Sequence, residues 1–430
     1  MPKVIIVGNG IAGITCARHI RKQSNFEITV ISSESKYFYS RTALMYIYMG
    51  HMKWEHTKPY EDHFWEKNRI NLLQAHVQQV LPDENKIKLN NGEKLEYDFL
   101  VIATGSSSNK FGWPGQDLQG VQGLYNLQDL QTMQDNTQGI KHAVVVGGGL
   151  IGIETVEMLL SRNITVTFLV REKSFWDNIL PGEESEMINK LIFHHKVDLQ
   201  LETELKEIKS SDGTKVTSVV TSKGEEISCG FVVLTVGVSP NISFLKESGI
   251  ETDRGVLVDN NFRTNSSNVF AVGDCAQFKT PSDGRKTIEQ VWYTGKMHGE
   301  TAAKNIVGTS VEYQPGHWFN SAKFFDLEYQ TYGLVSSQKG EDEEWFWWQD
   351  AKGQKGIRIV WDKNTEAFIG INSLGIRIRH EVCNEWLNEK TNITAVVKQL
   401  YKANFDPEFF KKFEKEFVRA FDYQNILLKN

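Results

Sequence analysis

The chain has 430 residues, of which 40% are hydrophobic and 24% charged. That length exceeds one ordinary core and predicts two or three globular domains, while the composition excludes a disordered or low-complexity chain. The formal net charge of −6 carries no sign of a clustered basic surface, so a nucleic-acid partner is not expected.

From the N-terminus, residues 3–7 form a β-branched run that enters a strand by Val4, which leaves no room for a signal peptide. Gly8, Gly10 and Gly13 follow directly as GxGxxG, with Ile11 and Ala12 opening a helical pattern and residues 27–31 forming the next strand. Glycines at this spacing allow a tight turn, close approach of backbone N–H groups to a pyrophosphate, and close helix–strand packing. The helix N-terminus adds partial positive charge for the phosphates. Glu34, at the end of the following strand, is the expected acceptor for a ribose hydroxyl. Residues 99–103 read as a buried strand ending in Ala103, Thr104 and Gly105, and residues 106–123, rich in Gly and Ser, read as a crossover.

The arrangement then repeats about 140 residues later: a strand over 143–146, Gly147, Gly149 and Gly152 as a second GxGxxG with Leu150 and Ile151 inside it, and a strand over 164–170. Two strand–helix–strand units with continuous apolar strands predict an α/β chain with two doubly wound, Rossmann-like dinucleotide-binding domains. Where an NAD-selective site carries an acid, this chain has Val170, followed by Arg171 and Glu172. Arg171 suits a 2′-phosphate and NADP, Glu172 suits the 2′-hydroxyl of NAD, and the sequence leaves both open. The apolar run 231–236 ends at Gly237 and closes the second unit, and the run 269–274 brings Gly273 and Asp274 to the tip of a strand, where a carboxylate can accept polyol hydroxyls.

Beyond Val311 the pattern changes. Residues 345–348, 356–361 and 367–372 predict antiparallel strands, and two amphipathic helices are expected to fill most of 380–421, the last starting at Asp406-Pro407. This is a C-terminal α+β domain. The expected division is 1–118 and 244–312 for the first dinucleotide-binding domain, 119–243 for the second and 313–430 for the third. Four scattered cysteines form no CxxC or Cys/His cluster, which predicts no metal site, no disulfide framework and a reduced, cytoplasmic chain. No apolar run approaches the ~20 residues that span a bilayer.

The ordered series of first GxGxxG, Ala103-Thr104-Gly105, second GxGxxG and Ala271-x-Gly273-Asp274 resembles the pyridine nucleotide–disulfide oxidoreductase superfamily over roughly residues 3–300. The resemblance implies FAD on the first turn, with Asp274 at its ribityl chain, NAD(P)H on the second turn, and hydride transfer between them. Redox-active relatives place a cysteine near residues 37–46, and none occurs there. The chain is therefore most similar to the subgroup of NADH:rubredoxin reductases, ferredoxin reductases and the nitrite reductase flavin domain. In that subgroup Arg41 of Tyr39-Ser40-Arg41 would contact FAD, and Glu154 would approach the nicotinamide. Its usual lysine partner is replaced here by Tyr46. Trp292 begins a helical pattern whose N-terminus would face the flavin, so it is a candidate catalytic neighbour or a core aromatic. The implied acceptor is a rubredoxin- or ferredoxin-like protein. The sequence also leaves open an NAD(P)H oxidase or quinone reductase, a non-catalytic NAD(P)H-sensing flavoprotein, and a homo-oligomer. Trp318, Trp345, Trp347 and Trp348 are candidates to face the flavin or a partner.

Overall fold

Strands buried on both faces select β-branched and aliphatic side chains, and the segments Lys3–Val7 and His142–Val146 are built this way after their first residue. Each becomes the centre of a five-stranded parallel sheet. The structure, a computed structural model, describes residues 1–282, 284–405 and 412–429.

The first sheet runs in the order Val269–Ala271, Phe99–Ile102, Lys3–Val7, Glu27–Ser32, Ile70–Gln74. It therefore takes strands from both sides of the segment that forms the second sheet, residues 121–234. Ile6, Val101 and Phe270 are fully buried, each side chain stabilising the fold by roughly 1.5–3 kcal/mol through removal from water. The second sheet is ordered Asp198–Gln200, Thr165–Leu169, His142–Val146, Phe231–Leu234, Val121–Gln122. A short antiparallel ribbon of Ser106–Ser108 and Val238–Pro240 connects the two.

The C-terminal sheet is antiparallel, in the order Phe319–Phe324, Leu327–Gly333, Phe368–Leu374, Gly356–Asp362, Glu343–Gln349. Alternation along the last strand sends Phe346 and Trp348 into a core with Phe413 and Phe417, while Trp345 and Trp347 lie on the other face. There Arg358, 3% exposed, has its guanidinium 5.0 and 5.3 Å from those two indole rings. It donates to Glu184 at 2.8 Å and Glu183 at 2.7 Å on the helix Gly182–His194. Asn372 donates to the other Glu184 oxygen at 2.8 Å. This cluster bolts the C-terminal sheet to the helix Gly182–His194 beside the second sheet. Burial pushes Glu184 up to about 7 even beside Arg358.

The four tryptophans offered as candidates to face the flavin or a partner pack against this protein's own residues. Trp345 and Trp347 stack on Arg358, Trp348 is core, and Trp318 lies under the guanidinium of Arg285. Among the described residues the two expected C-terminal helices are four: His380–Asn388, Ile393–Lys398, Leu400–Ala403 and Glu414–Lys429. Asn392 is the reason for one break, because its side chain accepts from the N–H of Thr394 and starts a new helix. The start signal at Asp406-Pro407 lies outside the described residues. No helix among the described residues is long and apolar enough to cross a membrane.

Candidate active site

Both glycine turns are shaped by backbone contacts. Gly8 has φ +112°, and a Cβ there would lie 2.1 Å from the carbonyl oxygen of Ala103; a Cβ on Gly13 would lie 2.1 Å from the carbonyl oxygen of Gly8. In the second turn, Gly147 has φ +109° and would meet Thr235 at 2.5 Å, and Gly152 would meet Gly147 at 2.3 Å. The middle glycines differ. A Cβ on Gly10 or Gly149 would meet nothing within 4 Å. Each of these residues caps a helix, Ile11–Gln23 and Leu150–Ser161, with no side-chain cap and no acid in the first turn. First-turn N–H groups are thus left facing open space, as an anion site requires.

A cavity of about 540 Å³ opens at the first turn. Of the residues expected to hold cofactors, Gly8, Gly10, Ile11, Ala12, Glu34, Arg41, Ala103, Thr104, Gly105, Gly273 and Asp274 line it. Leu150, Ile151 and Glu154, from the helix after the second turn, form another wall, and Trp292 lines it too. The first glycine turn and the start of the helix that follows the second therefore wall one common space. Gly13, Gly147, Gly149, Gly152, Arg171 and Gly237 are not among its lining residues. Gly13 and Gly152 pack behind their turns, while Gly237, at φ +89°, precedes the ribbon strand Val238–Pro240.

Glu34 accepts from Arg41 at 3.0 and 2.6 Å, from the N–H of Leu127 at 3.0 Å, and from the hydroxyl of Tyr39. Burial raises its pKa, but Arg41 and these hydrogen bonds outweigh burial and hold the carboxyl below its ordinary range. Three of the four contacts fall on Oε1, which leaves acceptor capacity at Oε2 for a sugar hydroxyl. Asp274 accepts from the hydroxyls of Ser106 at 3.4 Å and Tyr125 at 3.3 Å, and burial raises its pKa. Gln290 donates to the Ser106 Oγ at 2.9 Å.

Glu154 is half-buried at the cavity wall. Burial, helped by the nearby Glu157, pushes its carboxyl up to about 7. Among the described residues no basic side chain pairs with it, and Tyr46 instead stacks on His51 at 6.2 Å. Folding thus raises this pKa above its unfolded value, so the native state holds a proton that the unfolded chain releases. Stability from this group is lost as pH rises from about 4.5 to about 7. Glu154→Gln is expected to raise the thermal unfolding midpoint at pH 8 and leave it unchanged at pH 4.5. A pH-independent effect in calorimetry would contradict that.

Trp292 is 39% exposed and starts the helix Trp292–Ile306. Its exposed ring at the cavity mouth is not that of a core aromatic. Cys275 adjoins Asp274 but is fully buried and donates its S–H to the carbonyl oxygens of Ile102 and Val272, both at 3.4 Å. No cysteine lines the cavity. At the second turn, Val170 is fully buried and fills the space over Gly148. Arg171 is exposed and bonds Glu172 at 3.0 Å.

Sequence reasoning missed Tyr125, Ser106 and Gln290. Ser106 directly follows the Ala103-Thr104-Gly105 motif and could have been found by adjacency. Tyr125 has no local signature; it reaches Asp274 across 149 residues.

Residues 2–299 match the family described as pyridine nucleotide-disulphide oxidoreductase. An NADH oxidase of Methanocaldococcus jannaschii is 31% identical over 78% of this chain and 76% of its own length. Rhodocoxin reductase of Rhodococcus erythropolis is 27% identical over 77% of this chain and 78% of its own. The water-forming NADH oxidase of Lactobacillus brevis, solved bound to NADH, shares the fold across 100% of both chains with a TM-score of 0.83 at 19% identity. That likeness extends through the C-terminal sheet, beyond the family match.

Proposed function

Because the chain belongs to the pyridine nucleotide-disulphide oxidoreductase family, we propose that it is an FAD-dependent enzyme that takes a hydride from NADH or NADPH and passes the electrons to a small redox protein of rubredoxin or ferredoxin type. The observation that carries this reading is the common cavity, walled by Gly8, Gly10 and Asp274 on one side and by Leu150, Ile151 and Glu154 on the other. When bound, FAD supplies a centre that accepts two electrons together and can release them singly.

The chain's own residues bind, orient and shield. The Gly8–Gly10 turn and the first N–H groups of its helix hold the pyrophosphate. Glu34 takes a ribose hydroxyl at Oε2, and Asp274, oriented by Ser106 and Tyr125, takes the ribityl hydroxyls. Arg41 braces Glu34 and the carbonyl oxygen of Tyr125. Gly147, Gly149 and Gly152 shape the second turn for the nicotinamide cofactor, with Arg171 and Gly237 at its rim. Glu154, its carboxyl pushed up to about 7, presents a neutral donor at the cavity wall below that pH. Trp292, at a helix N-terminus that favours negative charge nearby, screens the mouth. We divide the chain accordingly into 1–118 with 244–312 for FAD, 119–243 for NAD(P) and 313–430, and place it in the cytoplasm, where four free thiols persist.

Anaerobic stopped-flow reduction of the yellow protein tests the reading. Rapid bleaching by NADH or NADPH, then reoxidation by rubredoxin or ferredoxin faster than by oxygen, is the expected result. Reduction by neither nucleotide would sink it. A second reading, with oxygen or a quinone as acceptor, draws on the 31% identity to an NADH oxidase and predicts the reverse order of reoxidation rates.

Nucleotide choice is open to one substitution. Glu172 neutralises Arg171, so Glu172→Ala frees the guanidinium for a 2′-phosphate. The ratio of kcat/KM for NADPH over NADH is expected to rise about tenfold, a ~1.4 kcal/mol change. Steady-state kinetics with both nucleotides would read it, and an unchanged ratio would remove Arg171 from the site.

A further inference from the structure

His298 is fully buried on the helix Trp292–Ile306, behind the cavity rather than in it. Its Nδ1 accepts the backbone N–H of Gly273 at 3.2 Å, so that nitrogen carries no proton. The proton therefore sits on Nε2, which donates to Glu289 Oε2 at 3.3 Å. The same carboxylate oxygen accepts from Tyr313 at 2.8 Å, and Oε1 lies 2.8 Å from the Nε of Arg285. Burial lowers the His298 pKa, which favours this neutral tautomer. The rings of Phe262, Tyr313 and Phe278 enclose the imidazole at 4.7, 4.8 and 5.5 Å.

The far end of this hydrogen-bond chain is a tight turn. Gly273 has φ +74°, and a Cβ there would sit 2.9 Å from the Cβ of Ala12, in the first dinucleotide turn. Asp274 follows immediately and faces the cavity. From the opposite side, the neighbour of Glu289, Gln290, holds Ser106, which bonds the Asp274 carboxylate. Two consecutive residues thus grip one turn: Glu289 through His298 and the backbone of Gly273, Gln290 through Ser106 and the side chain of Asp274.

We propose that His298 is a positioning residue that fixes the Gly273–Asp274 turn for the flavin's polyol chain by accepting the Gly273 amide. The inference rests on the reading that the cavity takes FAD. Without an acceptor the Gly273 N–H would be buried and unpaired, and the turn would move to satisfy it.

The test uses full-length apoprotein titrated with FAD, read by quenching of flavin fluorescence, with the apoprotein unfolding midpoint measured in parallel. Three variants separate the two nitrogens of the imidazole. His298→Asn places an acceptor near the Nδ1 position, His298→Gln places a donor near the Nε2 position, and His298→Phe supplies neither. The expected result is an FAD dissociation constant within about threefold of wild type for Asn and raised at least tenfold for Gln and Phe. The Asn and Gln apoproteins should unfold at similar temperatures, which a merely structural histidine would also give, but without the split in affinity. Wild-type affinity in both Gln and Phe, or equal weakening in Asn and Gln, overturns the proposal. If Phe does not fold, the Asn and Gln pair decides alone. Failure of wild-type apoprotein to take up FAD would instead overturn the flavin reading, and this inference would fall with it.

Discussion

Gly10→Val is expected to yield a folded protein that purifies without FAD, its flavin affinity reduced more than a hundredfold. Valine at this position meets no protein atom, because even a Cβ has nothing within 4 Å, and its backbone φ of −69° suits any residue. The branched side chain instead occupies the open space above the first-turn N–H groups, where the pyrophosphate must approach closely. Gly8→Ala provides the contrast. Its Cβ would collide with backbone at 2.1 Å, in a conformation that disfavours any side chain, so it is expected to damage the first sheet itself. The ratio of flavin to protein absorbance, with far-ultraviolet circular dichroism as the control for folding, distinguishes the two. A yellow Gly10→Val protein would place the flavin elsewhere.

Arg358→Met is expected to destabilise the protein by about 3–5 kcal/mol, because it strands Glu184 with no cation at a site that is fully buried. The deficit depends on pH with a definite sign. Glu184 already holds its proton more tightly folded than unfolded, with a value pushed up to about 7. Removal of Arg358 raises it further. At pH 5 the carboxyl is protonated with or without Arg358 and only the lost hydrogen bonds and packing count; as pH rises past 7 the wild-type carboxyl ionises beside the guanidinium while the variant's stays protonated, and the deficit grows. A second change, Glu184→Met, removes the stranded charge and is expected to restore most of the loss, giving a large coupling energy in a double-mutant cycle. Calorimetry at pH 5 and pH 8 would show the single variant's transition lowered at both, and lowered further at pH 8 by an amount worth about 1.4 kcal/mol. A pH-independent deficit would mean that lost packing on Trp345 and Trp347 dominates.

Much of this architecture is legible in the sequence because its signals are local. A strand, a glycine turn and a helix are contiguous, so Gly8–Gly13 and Gly147–Gly152 announce their own geometry, and the run into Asp274 announces a strand tip. The antiparallel strands around Trp345 and Arg358 are likewise legible from alternation and turns. What connects distant segments is not. Tyr125 and Asp274, or Gln290 and Ser106, are 149 and 184 residues apart and belong to no periodic pattern. His298 reads as one more position on an amphipathic helix until Gly273 is placed beside it. The tryptophans mark packing without naming what they pack on. Their large area marks burial but not which surface buries them, and Arg358, an exposed residue by base expectation, turned out to be what Trp345 and Trp347 cover. At the C-terminus, apolar periodicity is continuous across a helix break that depends on one asparagine cap.

The route of the chain through the first sheet also sets an order of assembly during synthesis. Phe99–Ile102 is flanked by Lys3–Val7 on one side and by Val269–Ala271 on the other. Its second neighbour leaves the ribosome about 170 residues later, which at ~5–20 residues per second is a delay of roughly 10–35 s. The strands of the second sheet, spanning Val121 to Leu234, all emerge within that interval. The nascent chain therefore completes its inner unit while the outer one still presents an open, wholly apolar strand edge, the kind of edge that invites pairing with another chain.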